Sequence, residues 1–236
     1  MLGAPGGDGP YGRRLRQLHL AIASLISGLA ISGFIFHYRR TLGLQDYKLE
    51  LLIPHVFLAY LLLCSVVWRI IVGTKGIESD RFRHVFARTK DIKRLIGVKE
   101  SDKSRLRFAG RSPLSRVIAT SFYLAVSVNI ATGLIRAGTD LYLPPFGPLV
   151  LGYVAPEGER ASIKAVKAGA FNKERMQKVR SFKKPVSEIH FIGAFIITFI
   201  ALLHVIGVLL TEWSAPSGQN LRGRARIMLF GPGKAR

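Results

Sequence analysis

PVSEIHFIGAFIITFIALLHVIGVLLTEW, residues Pro185 to Trp213, is long and apolar enough to cross a bilayer as a helix. It carries two histidines, His190 and His204, fourteen residues apart. At about 100° per residue that spacing falls about 40° short of four turns, so both rings leave nearly the same face, about 21 Å apart along the axis. Imidazole in hydrocarbon is costly without a partner and marks a functional site by default. Two such rings at two depths predict two separate metal centres, one toward each membrane surface.

The rest of the chain repeats this pattern. Its 236 residues are 49% hydrophobic yet carry a formal net charge of +21, with a mean hydropathy of +0.26. Apolar residues and charges coexist at these levels when they are segregated, and here the apolar residues fall into four blocks with most of the charge between them. Basic residues flanking apolar blocks are satisfied by anionic lipid headgroups, so the charge does not imply nucleic-acid binding. The single cysteine, Cys64, excludes an internal disulfide, a cysteine-ligated iron–sulfur cluster and covalent CxxCH haem attachment.

The first apolar block, Leu18 to Phe36, is too long for a signal-peptide core and reads as a retained span. The second runs from about Leu51 to Val72 and the third from about Leu114 to Ile135. The fourth is the one quoted above. The predicted fold is an all-α membrane protein, a four-helix transmembrane bundle over 18–213. A flexible basic segment, 1–17, precedes it and a basic tail, 214–236, follows. Extramembrane segments fill 74–113 and 136–184. The second of these begins with GTDLYLPPFGPLVLGYVAPEG, suited to an interfacial loop, and continues as the basic, helical-looking ERASIKAVKAGAFNKERMQKVRSFKK.

Four spans place both termini on one side, here side A. Side A holds 20 Lys and Arg and the opposite side B holds 13, which orients side A to the cytoplasm. The expected location is the cytoplasmic (inner) membrane of a bacterium or archaeon, crossed several times.

Chain direction then fixes depth. His19 and His204 lie toward side A, and His55 and His190 toward side B. Pairing at matched depth gives His19 with His204 and His55 with His190. Zinc prefers three or four ligands, usually with cysteine or carboxylate among them, and the apolar runs offer no carboxylate near either pair. Two axial nitrogens and an apolar slot suit a non-covalently held b-type haem. Small residues, Ser24, Ser27, Gly28, Ser32 and Gly33 in span one with Gly193 and Ala194 in span four, leave room for a flat macrocycle and also serve close helix packing. Asn129 and Thr132 make span three, which lacks histidine, a shaped wall.

Haem propionates need cations at the surface. Arg13, Arg14 and Arg16 suit side A, and Arg39, Arg40, Lys183 and Lys184 suit side B, although each also reads as an ordinary flanking charge. Arg69, fourteen residues after His55, shares its face and either meets a propionate or snorkels. His37 shares the His19 face but lies just outside its apolar run. It reads as an interfacial residue, with a quinone or proton-transfer role or side-B ligation as alternatives. His84 reads as a solvated loop residue. Of the flanking carboxylates Glu188 and Glu212, Glu188 is better placed to carry protons.

Three segments, RRLRQLHLAIASLISGLAISG, PHVFLAYLLLCSVVWRIIVG and EIHFIGAFIITFIALLHVIG, together make the chain resemble the bacterial cytochrome b561 superfamily over about residues 13–213. That superfamily includes the b-type membrane subunits of nickel–iron hydrogenases, formate dehydrogenases and thiosulfate reductases. The resemblance implies two non-covalent haems b, one on His19 and His204 and one on His55 and His190, and electron exchange with quinone. Many relatives carry tryptophan directly after the span-one histidine, where this chain has Leu20. The long connecting segments favour a subunit with a docked iron–sulfur or c-type cytochrome protein and a catalytic subunit, and a homodimer is compatible with them. Alternatives are a stand-alone di-haem quinone reductase fed by a small diffusible donor, a transporter with a histidine proton relay, and a membrane anchor.

Overall fold

The computed structural model describes residues 13–75, 82, 85–89, 92–93, 113–158 and 162–213. His84 and the tail from 214 onward lie outside the described residues, as does the side chain of Glu212. Every regular element among the described residues is helical: α1 (Arg13–His37), a 3-10 turn (Gln45–Tyr47), α2 (Lys48–Lys75), α3 (Pro113–Asp140), α4 (Gly147–Val154), α5 (Ile163–Lys167) and α6 (Lys173–Trp213). Four of them, α1, α2 with its preceding turn, α3 and α6, contain stretches long and apolar enough to cross a membrane. Large apolar side chains along them face outward, among them Phe57, Leu124, Phe199 and Leu209. Such exposure would be costly in water and is the expected surface in hydrocarbon.

Contacts divide the chain into two compact units. One comprises Met1–Tyr123 with Thr198–Arg236, and the other Leu124–Ile197. In the first unit the short connection after α1 returns the chain as α2, and the two helices pack together. Their closest approach includes Gly28, where a Cβ would stand 3.3 Å from Leu58 Cδ1. Phe82, Phe86 and Ala87 pack on α3. Phe82 stacks on Phe86 at 4.8 Å between ring centres, both meet the edge of Tyr123, and the Ala87 amide donates to Thr120 Oγ1 at 2.8 Å.

The second unit departs from the expected interfacial loop and single basic helix. The apolar run GPLVLGYV closes into α4, and its neighbour is not one helix but two. α5 ends at Gly169, whose φ of +89° suits glycine and stops the helix. α6 then starts because the Asn172 side chain accepts from the Arg175 amide at 3.0 Å, an N-cap that periodicity alone does not reveal. α6 therefore begins twelve residues before Pro185, which lies inside the helix. The strong helix formers of KERMQKVRSFKK extend it, and proline costs a transmembrane helix less when neighbouring groups re-satisfy the backbone.

Val154, Val166 and Met176 form a small core between α4, α5 and the start of α6, packed by Tyr142, Leu151 and Phe171. Val154 is 0% exposed. Replacing it with alanine removes two buried methyl groups and is expected to cost about 2 kcal/mol. Limited proteolysis in detergent checks this: cleavage between residues 141 and 172 should accelerate before the membrane helices unfold.

Candidate haem-binding histidines

His19 on α1 and His204 on α6 lie in the same unit. Their ring centres are 6.3 Å apart with planes inclined by 59°. That spacing is too wide for direct stacking and would leave room for one metal ion between the two rings. Among the described residues no group of three or more His, Cys, Asp or Glu could hold a metal ion.

His55 on α2 and His190 on α6 are each held by the same local device, built within one unit in each case. Ser32 Oγ lies 2.9 Å from His55 Nδ1, and its own proton is directed to the Leu29 carbonyl oxygen at 3.3 Å. Thr132 Oγ1 lies 3.1 Å from His190 Nδ1 and donates to the Val128 carbonyl oxygen at 2.9 Å. The Asn129 carbonyl oxygen, which can only accept, also lies 3.1 Å from His190 Nδ1. The Asn129 carbonyl can only accept, which puts the hydrogen of His190 on Nδ1 and the lone pair on Nε2, and a Ser32 hydroxyl turned to Leu29 is compatible with the same tautomer of His55. That is the tautomer a metal ligand requires.

Directly after each hydroxyl stands a glycine that gives the ring its room. A Cβ at Gly33 would lie 3.2 Å from His55 Cε1, and one at Gly133 would lie 3.1 Å from His190 Cε1. Gly193, one turn beyond His190, admits Asn129 closely: a Cβ there would lie 2.7 Å from Asn129 Oδ1, a buried oxygen without a hydrogen-bond partner. Ser32 and Gly33 thus do more than thin the helix for packing, and Thr132 touches a candidate ligand directly.

The predicted cations are placed variously. Arg69 is 4% exposed, and its guanidinium sits 4.6 Å from the centre of the Phe82 ring. It does not snorkel to water: Phe82 covers it, which the sequence of α2 alone does not reveal. Arg39 caps its own helix end, donating to the Phe36 carbonyl oxygen at 2.9 Å with its guanidinium over the Phe36 ring. Arg16 is half-buried and Lys184 exposed. Lys183 pairs with Asp140 at 2.6 Å, with Arg136 further off at 3.9 Å. His37 ends α1 exposed, its ring against the edge of Tyr38, and Glu188 is exposed on α6.

Beside the Lys183–Asp140 pair lies a cavity of about 280 Å³ lined by Tyr142, Lys167, Arg180 and Met176 among others. Burial pushes the Tyr142 phenol above its ordinary value, Arg180 pulls it back and Asp140 raises it further. The phenol is therefore neutral at physiological pH.

Four helices long and apolar enough to cross a membrane, with one histidine pair brought together and two further histidines held by hydroxyls, are the features on which a membrane b-type cytochrome is built. The family model described as prokaryotic cytochrome b561 matches residues 10–219, most of the chain, and the protein belongs to that family. It is accordingly a multi-pass membrane protein of a prokaryotic electron-transfer family, and the family implies haem b as its cofactor. Searches of curated proteins and of solved structures each found no match.

Proposed function

We propose that the chain is the di-haem subunit of a membrane oxidoreductase, carrying electrons across the bilayer between a quinone pool and a docked redox protein. His19 and His204 hold one haem toward side A. His55 and His190 hold the other toward side B, a pairing that rests on depth along the chain and on the family resemblance. The observation that most supports this reading is the 6.3 Å spacing of the His19 and His204 rings, in a chain matched over residues 10–219 to the cytochrome family.

When bound, the haem iron supplies one-electron redox chemistry. The chain's own contribution is ligation, orientation and a low-dielectric wall. Ser32 and Thr132 hold His55 and His190 in the ligating tautomer. Arg16, Arg39, Arg69 and Lys184 are the cations assigned to neutralise propionates, Arg69 from its buried position. Quinone exchanges at the bilayer interface beside one centre. The folded segment of α4 and α5, which shares its core with the basic start of α6, supports a docked partner bearing an iron–sulfur cluster or c-type haem, and a catalytic subunit beyond it.

Affinity purification from the native membrane in mild detergent tests this. The expected result is a complex in which a cluster-bearing or c-type partner accompanies the chain, and in which reduction of that partner reduces the haems. A chain that purifies alone and reduces quinone from a small diffusible donor would replace the subunit reading with the stand-alone enzyme.

A further inference from the structure

We infer that Ser32 and Thr132 are positioning residues that set the redox potential of the centre held by His55 and His190, making it the more reducing of the two. The inference rests on the reading of those histidines as haem ligands. Each hydroxyl sits in hydrogen-bond range of a ligand Nδ1, at 2.9 Å for Ser32 and 3.1 Å for Thr132, with its own proton turned to a helix carbonyl. A hydroxyl so committed receives the ring's N–H. Drawing that hydrogen outward moves electron density toward Nε2 and makes the imidazole a stronger donor. A stronger donor stabilises the ferric state over the ferrous and lowers the potential. His190 has a second acceptor in the Asn129 carbonyl.

The other pair lacks this support. Among the described residues, the rings of His19 and His204 meet each other at 6.3 Å and have no hydrogen-bonded Nδ1 partner. The hydroxyls occur in matching dipeptides, Ser32–Gly33 and Thr132–Gly133, each with its glycine against the same ring carbon of its histidine, Cε1. The arrangement therefore combines a donor-strengthening hydrogen bond with the space the oriented ring needs.

The test is a redox titration of the full chain in mild detergent, followed by haem absorbance, for the parent, Ser32→Ala, Thr132→Val and the double variant. The parent should titrate in two components. Each single variant should raise the lower component by a threefold to tenfold change in its oxidised-to-reduced ratio, where tenfold corresponds to about 59 mV for one electron. The double variant should shift it further, and the upper component should not move. Ser32→Thr and Thr132→Ser keep a hydroxyl and should leave both components in place. Haem retained with both components unmoved in the hydroxyl-less variants would overturn the inference while leaving the ligand reading intact. So would a shift of the upper component instead, or an equal shift in the hydroxyl-retaining variants. A parent that binds no haem would overturn the ligand reading itself.

Discussion

Replacing His204 with alanine is expected to halve the haem content, removing the side-A haem and leaving the side-B haem in place. His204 and His19 are the two rings that lie 6.3 Å apart, and a haem that loses one of its two imidazoles would lose half its coordination to the chain. His190 is on the same helix, but its Nδ1 is fixed by Thr132 and Asn129 on α3, which the substitution does not touch. Reduced-minus-oxidised spectra and pyridine haemochrome assay of the purified variant measure the outcome. Loss of both haems from a variant that keeps its helical circular dichroism, or loss of neither, would count against separate histidine pairs.

The second large effect is in the double variants, and it tests which histidine shares a haem with which. His19→Ala with His204→Ala should leave one haem, no fewer than either single variant leaves. His55→Ala with His190→Ala should also leave one. A mixed variant such as His55→Ala with His204→Ala should leave none. Residues acting on one shared centre are non-additive, and residues on different centres add. If the mixed double retained a haem and a matched double lost both, the pairing by depth would be wrong.

Much of the fold was legible because hydrophobic length is the strongest signal a membrane sequence carries. Four apolar blocks became four long helices, and His19, His55, His190 and His204 fell inside those blocks. Helix ends were less legible. α6 starts at Lys173 rather than Pro185 because an Asn172 side chain caps it. That local hydrogen bond leaves no periodic trace, and the basic helix formers after it read as a helical connector separate from the span. α4 was hidden for the opposite reason: eight apolar residues between prolines and glycines look interfacial until a core of Val154, Val166 and Met176 forms around them.

At the candidate site, the histidines were readable from spacing but their supports were not. Ser32, Gly33, Thr132 and Gly133 act through α2 and α6, helices distant in sequence. One signal was available: a hydroxyl followed by glycine near the same end of span one and of span three, at the depth already assigned to His55 and His190. Arg69 was beyond reach for a similar reason. Its cover, Phe82, comes from a connecting segment whose docking depends on contacts with Tyr123 and Thr120 of α3.

The haem-to-chain ratio of the purified, folded protein tests the central claim most directly, with the coordination state read from the low-temperature electron paramagnetic resonance of the oxidised form. Two b-type haems per chain, both six-coordinate and low-spin as two imidazole ligands require, is the predicted result. A monodisperse helical preparation with no haem, or with a single haem that His19→Ala and His55→Ala abolish equally, would contradict it.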